Sequence, residues 1–245
     1  MPPDTLILEN ATLRIGDKIL FSNFGFTLRI GEIHAVTGAN GIGKSSLLKC
    51  IAGHPNYPLR QGTLRLNGTD INDWPPEKRA QQGIFLAFQS PYELEGVTVA
   101  NFLRTALKFF PQHPLHNASA TELYQQLYTL LETVGLPKDF TGRSVHCGFS
   151  GGEKKRFEWL QVLFFRPKFV LLDELDSGLD THARAFILEM IRSLQATTAF
   201  LVVSHANDFL QALHPTATHA LQPFQPAPTP TACPPPHPAS QPVSA

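Results

Sequence analysis

A stretch near the amino end combines residue types that bind phosphate. Residues 38–46 read GANGIGKSS and follow an apolar run directly. Glycine lets the backbone turn several N–H groups toward one point, which is how a chain can enclose an anion. The G-x4-G-K-S spacing therefore predicts a polyphosphate-binding loop at the start of a helix, with Lys44 reaching the terminal oxygens. The predicted loop comprises Gly38, Ala39, Asn40, Gly41, Ile42, Gly43, Lys44, Ser45 and Ser46.

A loop that hydrolyses a nucleotide also needs carboxylates on a neighbouring strand. The sequence FVLLDE at 169–174 places Asp173 and Glu174 at the end of four apolar residues, which is typical of a buried parallel strand. We expect Asp173, together with the Ser45 hydroxyl, to hold Mg²⁺, and Glu174 to polarise the attacking water. The alternative is a pair of acids that simply ends a strand.

A second motif supports a competing hypothesis. GFSGG at 148–152 matches the G-x-S-x-G nucleophile elbow of α/β-hydrolases, and Ser150, Asp173 and His205 follow in the order of a catalytic triad. An elbow needs a buried strand before its serine, whereas the preceding TGRSVHC is polar. A hydrolase would also leave the phosphate loop without a purpose, so this alternative is disfavoured.

The elements that must position these residues alternate along the chain. Short apolar strands precede the loop, and buried strands such as FVLLDE and TAFLVVSH alternate with helical stretches such as THARAFILEMIRSLQ. This alternation predicts an α/β domain with a largely parallel sheet. A run of helical patterns at about 90–166 predicts a helical insertion into that domain.

Composition excludes several classes of protein. The 20 basic and 20 acidic residues balance, which gives no indication of nucleic acid or of an anionic membrane as a main partner. The three cysteines, Cys50, Cys147 and Cys233, form no CxxC pair, so a disulfide framework or a zinc site is not expected. The start of the chain lacks the pattern of a signal peptide, and no apolar run is long enough to span a membrane. We therefore expect a cytoplasmic protein without direct membrane insertion.

Six elements in a fixed order resemble the ABC-type ATPase family. Besides the phosphate loop and the acidic strand, FSGGE at 149–153 is similar to the family signature, and SGLD at 177–180 is similar to its D-loop. Gln89 and His205 match the glutamine of the Q-loop and the switch histidine. The resemblance implies a core sheet that is mostly parallel, an antiparallel β portion near the amino end, an inserted helical subdomain, and ATP and Mg²⁺ as ligands.

The resemblance also implies roles for residues outside the phosphate loop. Gln89 would sense Mg²⁺, and His205 would steady the γ-phosphate and the attacking water. Ser150, Gly151 and Gly152 would bind the γ-phosphate held by a second subunit, because a helix N-terminus favours an anion. An ATP-dependent homodimer with two composite sites follows from this arrangement.

Within that family the chain resembles the ATPase subunits of the Suf iron–sulphur cluster assembly system. The similarity lies in PEKRAQQGIFLAFQSPYELEGVTVANFLRTAL, RSVHCGFSGGEKKR and LLDELDSGLD. It implies that the chain docks on scaffold subunits of the SufB and SufD type, and that ATP-driven dimerisation changes the shape of the scaffold. We expect the docking surface near 89–102, between the sheet and the helical insertion. Two alternatives stay open: an ATPase subunit of an ABC transporter, and a nucleotide-binding scaffold protein that does not hydrolyse ATP.

The sequence departs from the family pattern at the adenine-stacking position and in its tail, among other places. Ile15 stands where many members carry an aromatic residue that stacks on adenine, so selectivity for the base is expected to be loose. We expect the ATPase domain to span residues 1–213 and a proline-rich, disordered tail to span 214–245. The tail is either a genuine extension or a replacement of the family's closing elements, as after a frameshift. The second alternative predicts an uncovered edge of the sheet.

Overall fold

The chain forms a five-stranded sheet, a four-stranded sheet, a two-stranded ribbon and a group of helices. The computed structural model describes residues 4–88, 90–174 and 181–224. Gln89 and the 177–180 segment, both singled out from the sequence, lie outside the described residues. The strands are β1 (Thr5–Ile15), β2 (Lys18–Arg29), β3 (Ile33–Thr37), β4 (Gln61–Leu66), β5 (Thr69–Asp70), β6 (Ile84–Ala87), β7 (Leu94–Thr98), β8 (Ser144–Val145), β9 (Phe169–Asp173), β10 (Ala199–Val203) and β11 (Ala217–Ala220). The helices are α1 (Lys44–Ile51), α2 (Pro76–Gln81), α3 (Val99–Leu107), α4 (Ala120–Thr133), α5 (Gly151–Phe165), α6 (Thr181–Leu194) and α7 (Asn207–Leu213).

The five-stranded sheet is parallel throughout and has the order β11-β3-β10-β9-β6. All residues of β9 and β10 are buried, which explains why their sequences are continuous apolar runs rather than alternating ones. The register pairs Val36 with Val203 and Val203 with Asp173. The segments that follow β3, β9 and β10 therefore leave the sheet at the same edge.

The four-stranded sheet is antiparallel and packs against one face of the parallel sheet. Its order is β2-β1-β4-β5, and β1 and β2 form its longest pair. Its inward side chains, such as Leu6 and Leu28, share one apolar core with α1 and with Leu171 and Val203 of the parallel sheet. This core holds α1 in place, and α1 begins at the phosphate loop.

The other face of the parallel sheet packs on helices. The segment between β6 and β9 contains α3, α4, α5, a 3₁₀ turn at Lys138–Gly142 and the β7–β8 ribbon. Leu103, Leu127 and Phe157 form a second core with Leu172 of the sheet. The predicted α/β fold, with its parallel sheet, antiparallel portion and inserted helices, is confirmed. Among the described residues, no helix combines the length and apolar content needed to cross a bilayer.

The end of the described chain differs from expectation. A further strand, β11, pairs in parallel with β3 and forms one edge of the sheet. The side chains of His34 and His219 meet across this pair, with Nδ1 and Nε2 3.1 Å apart. The sheet thus includes residues 217–220, beyond the predicted domain boundary at 213, while the uncovered edge that the frameshift alternative predicts stays a prediction. Residues 225–245 of the expected tail lie outside the described residues.

The side chain of Arg79 hydrogen-bonds to the carboxyl end of α1. Its guanidinium is buried and donates to the backbone oxygens of Cys50 and Ile51, both at 2.9 Å, and to those of Asn72 and Trp74. The last carbonyls of a helix have no partner within the helix, so Arg79 satisfies them. The position of α1, and of the loop before it, therefore depends on this side chain.

The variant Arg79→Met is expected to lower the free energy of unfolding by about 3 kcal/mol, because four carbonyls, two of them buried, lose a charged donor. Urea denaturation followed by circular dichroism would measure this loss. Arg104→Met is the matched control, because Arg104 is exposed on α3 and, within the described ranges, hydrogen-bonds only to the side chain of Asn101. Equal stability of the two variants would contradict the role given to Arg79.

Candidate nucleotide site

The candidate site lies where the parallel strands end. The phosphate loop follows β3, the two carboxylates close β9, and His205 follows β10. In open α/β sheets, ligands bind outside the carboxyl ends of the strands. The structure therefore brings together three sequence motifs that lie far apart along the chain.

Glycine is required at two positions of the loop. Gly38 has a φ of 145°, and a Cβ there would stand 2.9 Å from the Leu221 carbonyl oxygen. Gly43 has a φ of 107°, and a Cβ there would stand 2.9 Å from a methyl carbon of Leu20. Both conformations are ones that residues with side chains rarely adopt. The loop thus fits tightly between β2 and the segment after β11.

Lys44 is the buried cation of the site. Its ammonium group donates to the carbonyl oxygens of Gly38 at 2.9 Å and Ala39 at 3.0 Å. Burial lowers the pKa of Lys44, while the nearby carboxylates of Glu174 and Asp173 oppose that shift. A compact cation held by backbone carbonyls inside its own loop can bind phosphate oxygens with little rearrangement.

Ser45 and Asp173 meet across the sheet edge. The Ser45 hydroxyl donates to Asp173 Oδ1 at 2.8 Å, and Asp173 is buried. Burial raises the pKa of Asp173, and the Ser45 hydrogen bond and the charges of Lys49 and Lys44 oppose that rise. A hydroxyl and a carboxylate are hard oxygen ligands of the kind that Mg²⁺ binds beside a polyphosphate. The donor set therefore fits Mg²⁺.

Glu174 and His205 form a contact at the mouth of the site. His205 Nε2 lies 3.2 Å from Glu174 Oε1, and the imidazole is 43% exposed. Glu174 has a φ of 51°, and its backbone N–H donates to the Val203 carbonyl at 3.0 Å. The left-handed backbone turns the chain at the end of β9. A carboxylate that faces an imidazole beside a phosphate loop can accept a proton from water.

These side chains line one cavity of about 410 Å³. Lys44, Ser45, Glu174 and His205 lie on its wall, and Ile15, which is 41% exposed, lies at its border. Sequence reasoning named these five residues, but it missed Leu20, which also lines the cavity and packs against Gly43. No local motif in the sequence marks Leu20, because only the folding of β2 brings this residue next to the phosphate loop.

The signature segment begins α5. Ser150 caps this helix: its hydroxyl accepts from the Glu153 N–H at 3.2 Å, and its own N–H donates to Glu153 Oε2 at 2.7 Å. The Ser150 N–H and Arg143 lower the pKa of Glu153. Ser150, Gly151 and Gly152 are exposed, so an external anion can reach the start of the helix.

The geometry does not support the hydrolase alternative. Ser150 bonds to Glu153, whereas Asp173 bonds to Ser45 and His205 contacts Glu174. The strand before Ser150, β8, has two residues and ends at Val145, so a nucleophile elbow does not form. Ser150, Asp173 and His205 occur in the sequence in the order of a catalytic triad, but their side chains do not form one in the structure.

A P-loop between a parallel strand and a helix, with acidic residues at the end of another strand of the same sheet, defines a P-loop nucleotide-binding domain. Residues 21–177 match the family model described as ABC transporter. The chain is 38% identical over 223 residues, which is 90% of this chain and 89% of the relative, to a probable ATP-dependent transporter ycf16 of Pyropia yezoensis. It is 39% identical over 208 residues to the iron-sulfur cluster assembly protein SufC of Plasmodium falciparum, covering 84% of this chain and 60% of that relative.

The fold supports the same assignment. The dimeric ATP-binding cassette MJ0796, solved with ADP and phosphate bound, superposes with a TM-score of 0.74 at 20% identity and covers 89% of this chain and 94% of that one. The chain belongs to the ABC transporter family. Within it, the chain is similar to proteins named SufC and ycf16.

Proposed function

We propose that this chain is a Mg²⁺-dependent ATPase subunit that drives iron–sulphur cluster assembly on a scaffold complex. The observation that carries the catalytic part is the single cavity that joins Lys44, Ser45, Glu174 and His205, with Asp173 directly behind Ser45. The name of the relative from Plasmodium falciparum supports the biological part.

In the proposed reaction, the loop 38–46 holds ATP through its backbone N–H groups and Lys44. Ser45, Asp173 and Gln89 would hold Mg²⁺, which offsets charge on the phosphates. Glu174 accepts a proton from water as the water oxygen bonds to the γ-phosphorus. The bond from that phosphorus to the bridging oxygen breaks, and ADP and phosphate leave. The contact with His205 at 3.2 Å keeps Glu174 beside the terminal phosphate.

The proposed active form contains two copies of the chain. Ser150, Gly151 and Gly152 of one copy face the γ-phosphate held by the other, and the N–H groups of Gly151 and Gly152 complete the site. The exposure of all three residues and the dimeric form of the cassette MJ0796 support this arrangement. A single copy should therefore hydrolyse ATP slowly.

We place the scaffold contact near 89–102. Three exposed apolar side chains lie in this stretch: Tyr92 is 77% exposed, Leu94 37% and Val97 38%. Exposed aromatic and aliphatic residues in one segment are typical of a protein-binding surface. The expected partners are subunits of the SufB and SufD type.

The double variant Tyr92→Ser, Val97→Ser is expected to weaken binding to the SufB- and SufD-type subunits of the same organism at least about 10-fold, because it removes two apolar anchors. Calorimetry with the purified subunits, ATP and Mg²⁺ would measure this loss. The control Phe109→Ser removes another exposed apolar side chain, which is 55% exposed and lies outside this stretch. Unchanged affinity of the double variant would contradict the proposed surface. Capture of membrane-spanning subunits instead of the scaffold would favour an ABC transporter.

A further inference from the structure

A carboxyl group that the proposed reaction does not use is buried inside the helical part of the chain. Glu158 lies in α5, two turns after the signature segment, and is 4% exposed. Burial raises the pKa of this carboxyl group. Carboxyl groups are rarely buried without a specific set of partners, because the surroundings must replace the lost water.

The partners of Glu158 come from three separate segments. Gln161 on the same helix donates to Glu158 Oε1 at 3.3 Å, and His146 Nε2 lies 3.4 Å from the same oxygen. The backbone N–H of Phe88 also hydrogen-bonds to the carboxyl group. Phe88 directly precedes Gln89, and His146 lies four residues before Ser150. One side chain thus joins the strand that leads to Gln89 with the loop that leads to the signature.

The conformation and surroundings of His146, the member of this cluster that lies in the signature loop, are energetically unfavourable. His146 has a φ of 61°, a conformation that is uncommon for residues other than glycine. Its Nδ1 is buried and has no hydrogen-bond partner among the described residues. The imidazole packs against the rings of Phe149 and Phe157, at centroid distances of 5.6 and 5.1 Å. A purely apolar side chain would fill this place without an unpaired nitrogen, so the imidazole needs another explanation.

We propose that Glu158 is a positioning residue. It fixes the position of the loop that carries Ser150 relative to the segment that ends at Phe88, directly before Gln89. The inference rests on the proposed function, since a composite site requires the signature of one copy to face the γ-phosphate of another. A change at the Gln89 segment then moves the signature loop through Glu158 and His146. Neither residue lines the cavity around Lys44 and Ser45, so binding of ADP without Mg²⁺ to a single copy should not depend on the cluster.

The test compares three variants in the full chain. Glu158→Leu removes both links and is expected to lower kcat at least about 10-fold at saturating ATP, while the Kd of a fluorescent ADP analogue stays within about 2-fold. Glu158→Gln keeps an acceptor for the Phe88 N–H and a polar partner for His146, so kcat should stay within about 3-fold of the wild type. ATP-dependent dimerisation, followed by light scattering, should weaken in Glu158→Leu alone.

His146→Gly provides a second variant if Glu158→Leu does not fold. It removes the imidazole, and glycine adopts the left-handed backbone conformation at this position without strain. The variant is expected to lower kcat at least about 5-fold with the same ADP affinity. His214→Gly is the matched control, because His214 has a φ of 51° and ends α7. Wild-type kcat in a folded Glu158→Leu or in His146→Gly would overturn the proposal. If the wild type neither binds ADP nor releases phosphate, the proposed function itself fails.

Discussion

Replacing Glu174 with Gln is expected to reduce phosphate release at least about 100-fold while leaving ATP binding intact. The amide keeps the size of the side chain but cannot take the proton of the attacking water, and a positioned base contributes roughly 10²–10⁴-fold to such a step. Its contact with His205 at 3.2 Å can persist as a hydrogen bond. The measurement is single-turnover and steady-state phosphate release at saturating ATP and Mg²⁺, with scaffold subunits present.

Glu189→Gln is the matched control, because Glu189 is exposed on α6 and does not line the site. Its phosphate release should equal that of the wild type. Equal phosphate release from Glu174→Gln and the wild type would remove the catalytic proposal. Such a result would favour a protein that binds nucleotide and acts as a scaffold without turnover.

Replacing Lys44 with Met is expected to weaken ATP binding about 100-fold. This loss should be seen even when no ATP is hydrolysed. The ammonium group would make charge-assisted hydrogen bonds to two phosphate oxygens, and their loss of about 3 kcal/mol corresponds to that factor. Titration calorimetry with a non-hydrolysable ATP analogue would measure the change. Undiminished affinity would exclude the loop 38–46 as the phosphate site.

The stability of Lys44→Met gives an independent check on this assignment. Burial lowers the pKa of Lys44, so the folded protein loses free energy by keeping this group charged. The lost hydrogen bonds to the Gly38 and Ala39 carbonyls oppose this gain, so the variant should unfold at about the same temperature as the wild type. Lys78→Met serves as the control: the Lys78 ammonium lies 4.1 Å from the centre of the Trp74 ring, so its loss should affect packing and not nucleotide affinity.

The parts of the site that the sequence predicts share one property: each is encoded by a short motif at the end of a strand. Ser45 and Asp173 lie 128 residues apart, yet their contact could be expected because parallel strands end at a common edge. The acidic pair that ends FVLLDE was recognisable for the same reason. The proposed roles of Gln89 and the 177–180 segment stay predictions, since both lie outside the described residues.

The features that the sequence does not predict depend on contacts between distant segments. The strand β11 contains only four residues with alternating burial, and it forms because β3 offers an unpaired edge. The link from Glu158 to Phe88 and His146 depends on how α5 packs beneath the sheet. A charged residue inside an apolar helical run is the only local sign of this cluster, and the sequence alone assigns it no partner.

The pairing of β3 with β11 also affects how the protein is made. A ribosome releases β3 early, but Gly38 meets the Leu221 carbonyl, and Thr37 pairs with Ala220, only near the end of the described chain. Until then the nascent polypeptide carries an open parallel edge beside an unfinished phosphate loop, a state prone to association with other chains. The phosphate loop therefore reaches its final packing only after β11 and Leu221 have been synthesised.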